Sequence, residues 1–274
     1  MAAFVLRPVK KRIRVLLIIH GLRIKPMQDL AKKLHAAFAE AVARPATHPS
    51  GKNQDDHNAM VKQCVDGLAR LSDDHRRHVD IGPAPDALTR YGAVLLDQMI
   101  DSDLAHLVAD LWPELHWYEI FSDPSISEAL SRGLISAPIS GIRGQLVSEE
   151  LISGMFLLAP HTHYPLHQHP ALEIYYVLSG AVDICHGRNK SPMHINAGDY
   201  SLTPPNQVHS LTTGDTPCLI IFTWTGDLAN ENWWWDEQDG VWMRTCWQRD
   251  AKGTWKIALE EPLSNDVIAQ SGDA

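Results

Sequence analysis

The chain has 274 residues, 45% of them hydrophobic and 21% charged, with a formal net charge of −9. That is enough apolar material for one large domain, or for a compact domain with an extra segment. The acidic balance excludes a nucleic-acid surface, because the short basic run Arg7 to Arg14 cannot alone supply the positive field that phosphate binding needs.

In chain order, residues 1–26 read as a tail. The basic run is a solvated stretch, and Arg14 to Leu22 is a weak signal-peptide core that carries His20 and meets no small-residue cleavage site. A translation start at Met27 is compatible with this reading. No apolar run reaches the ~20 residues of a membrane span. Cys64, Cys185, Cys218 and Cys246 are widely spaced without a CxxC pair, which indicates neither a zinc knuckle nor a disulfide framework and fits a reducing cytoplasm.

Four helices are expected next. Residues 27–43 place Leu30, Leu34, Ala37, Phe38 and Ala41 on one stripe, between Pro26 and Pro45. After a polar loop, residues 56–72 align Met60, Val61, Cys64, Val65, Leu68 and Leu71. Asp86 is the expected cap of a helix running to about 99, and Ser102 or Asp103 the cap of one ending at Leu111.

From about Gly144 the pattern changes to short apolar or alternating runs divided by Gly, Pro, Asn and Asp. The expected strands are 151–159, 171–178, 181–186, 200–203, 218–224 and 241–248, which suggests a β-sandwich or barrel. Helices first and strands second give an α+β chain. The division is a tail at 1–26, a helical segment at 27–133 packing on or capping the barrel, a barrel at 134–250, and a C-terminal tail at 251–274.

The chemistry concentrates in HTHYPLHQHPALEIYY, residues 161–176. If 167–177 is extended, His167, His169, Glu173 and Tyr175 share one face. Burying such groups unpaired is costly, and a divalent cation bound by imidazole and carboxylate reverses that cost. The opposite face, Leu172, Ile174, Tyr176 and Leu178, must also be covered, by the N-terminal helices or a second subunit. His161 and His163 read as residues near the mouth, and His186 and His194 as solvated.

The order His167-Gln-His169, three residues, Glu173, six residues, Gly180, followed by Gly198 to Pro204 and His209, resembles the two motifs of the cupin superfamily. The fold it implies is a jelly-roll barrel holding one metal. Departures are His161 and Asn206 where glycines are expected, and Thr213 where the motif closes with Asn; Asn tolerates the left-handed backbone a turn there needs. Within that superfamily the set Tyr164, His167, His169, Glu173, Tyr175, His209 and Trp224 is similar to the cupin lyases that cleave dimethylsulfoniopropionate to dimethyl sulfide and acrylate. The resemblance implies metal ligation by His169, Glu173 and His209, Tyr175 as ligand or base, and His167 in or beside the shell. Trp224, Tyr164 and Tyr176 would hold the sulfonium through cation–π contact.

The metal is Fe2+, Mn2+, Zn2+ or Ni2+, since these donors do not select among them. The partner is a small zwitterionic substrate, with no nucleic acid and no membrane; a homodimer is allowed. The rival readings are an Fe(II) oxygenase acting on a small organic acid and a non-catalytic small-molecule-binding cupin. The run Asn232 to Asp236 is either an aromatic lid or, as the simpler reading, core or interface packing, and Trp112 and Trp117 close the helix–barrel seam.

Overall fold

The computed structural model describes residues 27–50, 53–70, 83–100, 102–121, 123–228, 231–249 and 255–272. The tail expected at 1–26 lies outside the described residues. Four helices open the described chain: α1 (Met27–Val42), α2 (Gln54–Ala69), α3 (Asp86–Gln98) and α4 (Asp103–Leu111), the last continuing into a 3-10 turn at Trp112–Glu114. The α1 stripe is realised, with Leu30, Leu34, Phe38 and Ala41 all buried. The side chains of Asn53 and Ser102 accept the amide protons of Asp56 and Ala105 and cap α2 and α4. Asp86 does not cap α3: Pro85 is the cap residue, and Asp86 sits in the first turn, where its charge suits the free amides.

A short helix, α5 (Glu128–Gly133), capped by Ser127, leads into the sheets. The first sheet holds β1 (Tyr118–Glu119), β2 (Leu134–Ser140), β3 (Leu151–Leu158), β5 (Ala171–Ser179), β8 (Tyr200–Thr203) and β10 (Cys218–Gly226), in the order β1-β2-β3-β10-β5-β8. The second holds β4 (His163–Gln168), β6 (Ala181–Cys185), β7 (Met193–Asn196), β9 (His209–Thr212), β11 (Glu231–Gln238), β12 (Val241–Arg249) and β13 (Trp255–Pro262), in the order β13-β12-β11-β4-β9-β6-β7.

Two apolar cores result. One lies between the helices and the outer face of the first sheet and joins Leu34, Phe38, Leu68, Leu95 and Val108 to Leu172, Ile174, Tyr176 and Ile221. The other fills the space between the sheets, with Tyr164, Tyr175, Val177, Leu211, Ile220, Phe222 and Trp247. Every residue of β5 is buried, so the strand contributes alternate side chains to both cores. The cover that its second face requires comes from the helices, where Phe38 meets Tyr176 edge-on at 6.2 Å. Burying one such aromatic side chain contributes roughly 2–3 kcal/mol.

Residues 255–272 are not a tail. β13 pairs with β12 and buries Trp255, α6 (Asn265–Gln270) follows, and the Ser271 carbonyl accepts the Val208 amide proton just before β9. One buried tryptophan and a strand-length run without Gly or internal Pro carry this element.

Candidate metal centre

The chain does not run straight from His167 to Tyr175. β4 ends at Gln168 in the second sheet, and after His169 and Pro170 the chain enters β5 in the first sheet. Proline cannot donate to a ladder, so the crossing falls where the sequence provides it. The same four side chains still converge, because each points into the space between the sheets. His209 joins them as the cross-strand neighbour of His167. The turn before it, closed by the Gln207 amide on the Pro204 carbonyl, places Asn206 at φ 61°, and the Asn206 amide is bonded to the His169 carbonyl at 2.9 Å. His161 also takes the left-handed backbone, at φ 57°.

His167, His169 and His209 are 1% exposed or less, and their ring nitrogens form a group within 4.8 Å of one another. Each Nδ1 faces a backbone carbonyl two residues away: Pro165 at 2.8 Å, Ala171 at 3.2 Å and Gln207 at 2.9 Å. A carbonyl can only accept, so Nδ1 carries the proton in all three rings and Nε2 is left as a lone pair. The Nε2 atoms of His167 and His209 have no hydrogen-bond partner and are sealed from water. Glu173, fully buried, brings Oε2 to 2.9 Å from His169 Nε2 and 3.3 Å from His209 Nε2.

Lone pairs facing one another at these distances repel unless a cation lies between them. Two donors each about 2.1 Å from one ion stand about 3.0–3.4 Å apart for bond angles between a right angle and the tetrahedral value. The Glu173–His spacings are of that size, so the residues present fit a bound divalent metal. Electrostatics agree. Burial, then the neighbouring imidazoles, lower the His167 pKa well below the ordinary value, and burial lowers that of His169 despite the opposing pull of Glu173. For Glu173, burial pushes the carboxyl up, while positive charge at the Nε2 side of His169 and His209 pulls it down more strongly; with Nδ1 carrying the ring protons, a bound cation would supply that charge. Imidazoles that present Nε2 and a carboxylate are the donor types that metal ligation uses.

Tyr175 is 1% exposed, and burial followed by the Glu173 charge raises its hydroxyl well above the ordinary phenol value. Tyr164 stacks on His167 with ring centroids 3.9 Å apart. Trp224, directly opposite Glu173 in the ladder, donates its indole N–H to Glu173 Oε1 and stacks on His169 at 4.1 Å. It therefore orients a carboxylate and an imidazole, in addition to offering an aromatic face. Tyr176 is not at the centre: alternation along β5 turns it towards Phe38 and the helices, so it cannot hold a ligand there.

His186, expected in solvent, is half-buried, with Nε2 3.2 Å from Thr203 Oγ1 and its ring 6.3 Å from that of His209; burial pushes its pKa down to about 3. It directly follows β6, which pairs with β9, and that pairing could not be read from one strand alone. His194 is exposed on Asp183, and His161 and His163 are exposed as well. Asn232 and Trp234 were missed as site residues. Asn232 is 3% exposed and donates to the Tyr164 hydroxyl, and Trp234 is paired with His167 across the ladder. The available signal was the polar Asn that opens an otherwise aromatic run.

A family model described as dimethylsulfoniopropionate lyase matches residues 56–220. DddL of Cereibacter sphaeroides, provisionally named a dimethylsulfoniopropionate lyase, is 38% identical over 109 residues, which cover 39% of this chain and 45% of that protein. The dimethylsulfoniopropionate lyase DddQ of Ruegeria pomeroyi is 32% identical over 88 residues, 32% of this chain and 43% of that one. The matched chain thus spans less than half the length of either curated relative. Among solved structures, one described for the DMSP lyases RdDddP and RnDddQII covers 75% of this chain and 97% of its own, with a TM-score of 0.54 at 18% identity. That of DddQ from Ruegeria pomeroyi covers 74% and 95%, with a TM-score of 0.52 at 19% identity. These two similarities establish the cupin-type fold, and since the family model extends over more than half of the sequence, the chain belongs to the dimethylsulfoniopropionate lyase family.

Proposed function

We propose that the protein is a metal-dependent carbon–sulfur lyase that cleaves dimethylsulfoniopropionate to dimethyl sulfide and acrylate. The observation that carries this reading is the convergence of three Nδ1-protonated imidazoles and an ionised Glu173 beside the buried phenol of Tyr175, inside a chain of this family. His169, Glu173 and His209 would hold the metal, with His167 as a further donor at the same point. When bound, the cation supplies positive charge both to the substrate carboxylate and to the Tyr175 hydroxyl, easing the second negative charge that forms at the α-carbon.

Tyr175, as phenolate, takes the α-proton. The electron pair of the broken C–H bond becomes the new C=C bond, and the C–S pair leaves on sulfur as neutral dimethyl sulfide, so no general acid is needed. Glu173 is held in register by the Trp224 N–H, and the barrel interior excludes water from the reacting atoms. The rings of Tyr164, Trp234 and Phe121 pack against one another with centroids within 5.8 Å, and their faces, not their edges, would supply the apolar, electron-rich wall that a dimethylsulfonium group requires.

Headspace detection of dimethyl sulfide after dimethylsulfoniopropionate is added to purified, metal-loaded protein tests the proposal, with a chelator control and an anaerobic run. Release that is metal-dependent and oxygen-independent is expected. Full turnover by Tyr175→Phe would remove Tyr175 as the base, and a need for oxygen would replace the lyase by an oxygenase.

A further inference from the structure

Asn232 lies beyond the residues the family model matches, on a strand of the second sheet whose buried and half-buried tryptophans suggest mere packing. A buried carboxamide is an expensive packing residue unless its polar atoms are used. Its Nδ2 is 2.9 Å from the Tyr164 hydroxyl, and its Oδ1 is buried without a partner. Tyr164 in turn lies flat against His167. A phenol has one proton to give and can accept two. With Asn232 donating to the oxygen, the Tyr164 proton must go elsewhere, and among the described residues no acceptor takes it. The indole N–H of Trp234 faces the same oxygen without completing a hydrogen bond. The hydroxyl is surrounded by donors on the protein side, and a donated hydrogen bond makes it a better donor in its turn.

We infer that Asn232 is a positioning residue: its amide fixes the Tyr164 hydroxyl so that the phenol proton is presented to an oxygen acceptor of the bound substrate. This rests on the lyase reading for the identity of the acceptor, a carboxylate oxygen of dimethylsulfoniopropionate, but the hydrogen bond and its direction do not depend on it. The opposite direction, with Tyr164 donating to Asn232, would consume that proton inside the protein and leave nothing to present.

The test is a double-mutant cycle of Asn232→Leu and Tyr164→Phe on kcat/KM for dimethylsulfoniopropionate, with Asn232→Asp as the directional variant. Each single change should cost about 10-fold or more, the scale of one lost hydrogen bond. The double variant should be no worse than Tyr164→Phe. Asn232→Asp should fall below Asn232→Leu, because its carboxylate captures the phenol proton. Multiplying effects, or an Asn232→Asp variant as active as the wild type, would overturn the assignment. A readout free of activity and of the Asn232 variants' folding is the side-chain amide signal of Asn232 in 15N-asparagine-labelled protein. That signal should shift on Tyr164→Phe, and an unchanged signal would overturn the hydrogen bond itself. Absence of dimethyl sulfide from the wild-type protein sinks the lyase reading instead, and the amide signal then decides the Asn232 assignment.

Discussion

Lowering the pH from 7.5 to 5 should weaken the seam between the helices and the first sheet by an amount that one substitution removes. His35 on α1 is 1% exposed, with Nε2 2.7 Å from the hydroxyl of Ser153 on β3 and Nδ1 buried without a partner. Burial pushes its pKa from 6.5 down to about 3. The folded protein therefore holds the ring neutral, while the unfolded chain takes up a proton near pH 6.5. The stability due to His35 is complete above that value and falls by about 1.4 kcal/mol per pH unit below it, until the folded ring itself protonates near pH 3. Between pH 7.5 and 5 the loss is about 2 kcal/mol. Urea midpoints of metal-saturated wild type and His35→Gln, followed by tryptophan fluorescence at both pH values, isolate this quantity. Glutamine can still reach Ser153 but does not titrate. Other groups, including His57, whose pKa burial also lowers, are common to both proteins and cancel in the difference. The wild type should lose about 2 kcal/mol more than the variant. Equal losses would mean that His35 accepts a proton in the folded state, and the sealed seam would be refuted.

Two further outcomes follow from the centre. Trp224→Phe keeps an aromatic face but removes the N–H that holds Glu173, so metal affinity by equilibrium dialysis should fall by about 10–100-fold; unchanged affinity would restore Trp224 to a purely aromatic role. Stripping the metal with a chelator should lower the thermal midpoint, by the equivalent of about 2.7 kcal/mol when the free metal had stood at 100 times its dissociation constant, and re-addition should reverse it; a midpoint indifferent to metal would count against a cation between Glu173 and the imidazoles.

Periodicity served best where one period ran unbroken. The stripe Leu30, Leu34, Phe38 on α1 and the alternation Leu172, Ile174, Tyr176 on β5 were legible because spacing alone decides which residues share a face, and each set joins one core. The motif spacing located His167, His169, Glu173 and His209, although the straight strand that seemed to explain their common face is broken at Pro170. They meet because two facing sheets aim inward, a fact of tertiary pairing that no local period encodes. The same reason hid His186 and Asn232. Each reaches the centre through a neighbouring strand, β9 or β4, and strand order is not a property of either segment alone. Tyr176 was misassigned by its chemistry against its own alternation.

The helical half has a physical task that follows from this division. Glu173, Tyr175 and Trp224 stand on the inner face of β5 and β10, in the first sheet, while His167 and His209 stand on β4 and β9, in the second. A centre shared between sheets works only if their separation is held to about 0.5 Å. On the outer face of the first sheet, α1 touches β3 through His35 and Ser153, and α2 reaches Thr225 of β10 through Gln63 and Cys64. Gly67 of α2 lies so near Thr225 that an added Cβ would stand 2.9 Å from its methyl group. The helix is therefore seated directly behind the strand that carries Trp224. Each contact fixes the outer side of a strand whose inner side carries a reacting or ligand-holding group, or lies next to one that does. Movement of α1 and α2 would shift Glu173 relative to His209 before it exposed either to water. The helices are thus part of the geometry of the centre although, among the described residues, none of their side chains hydrogen-bonds to its ligand-holding groups.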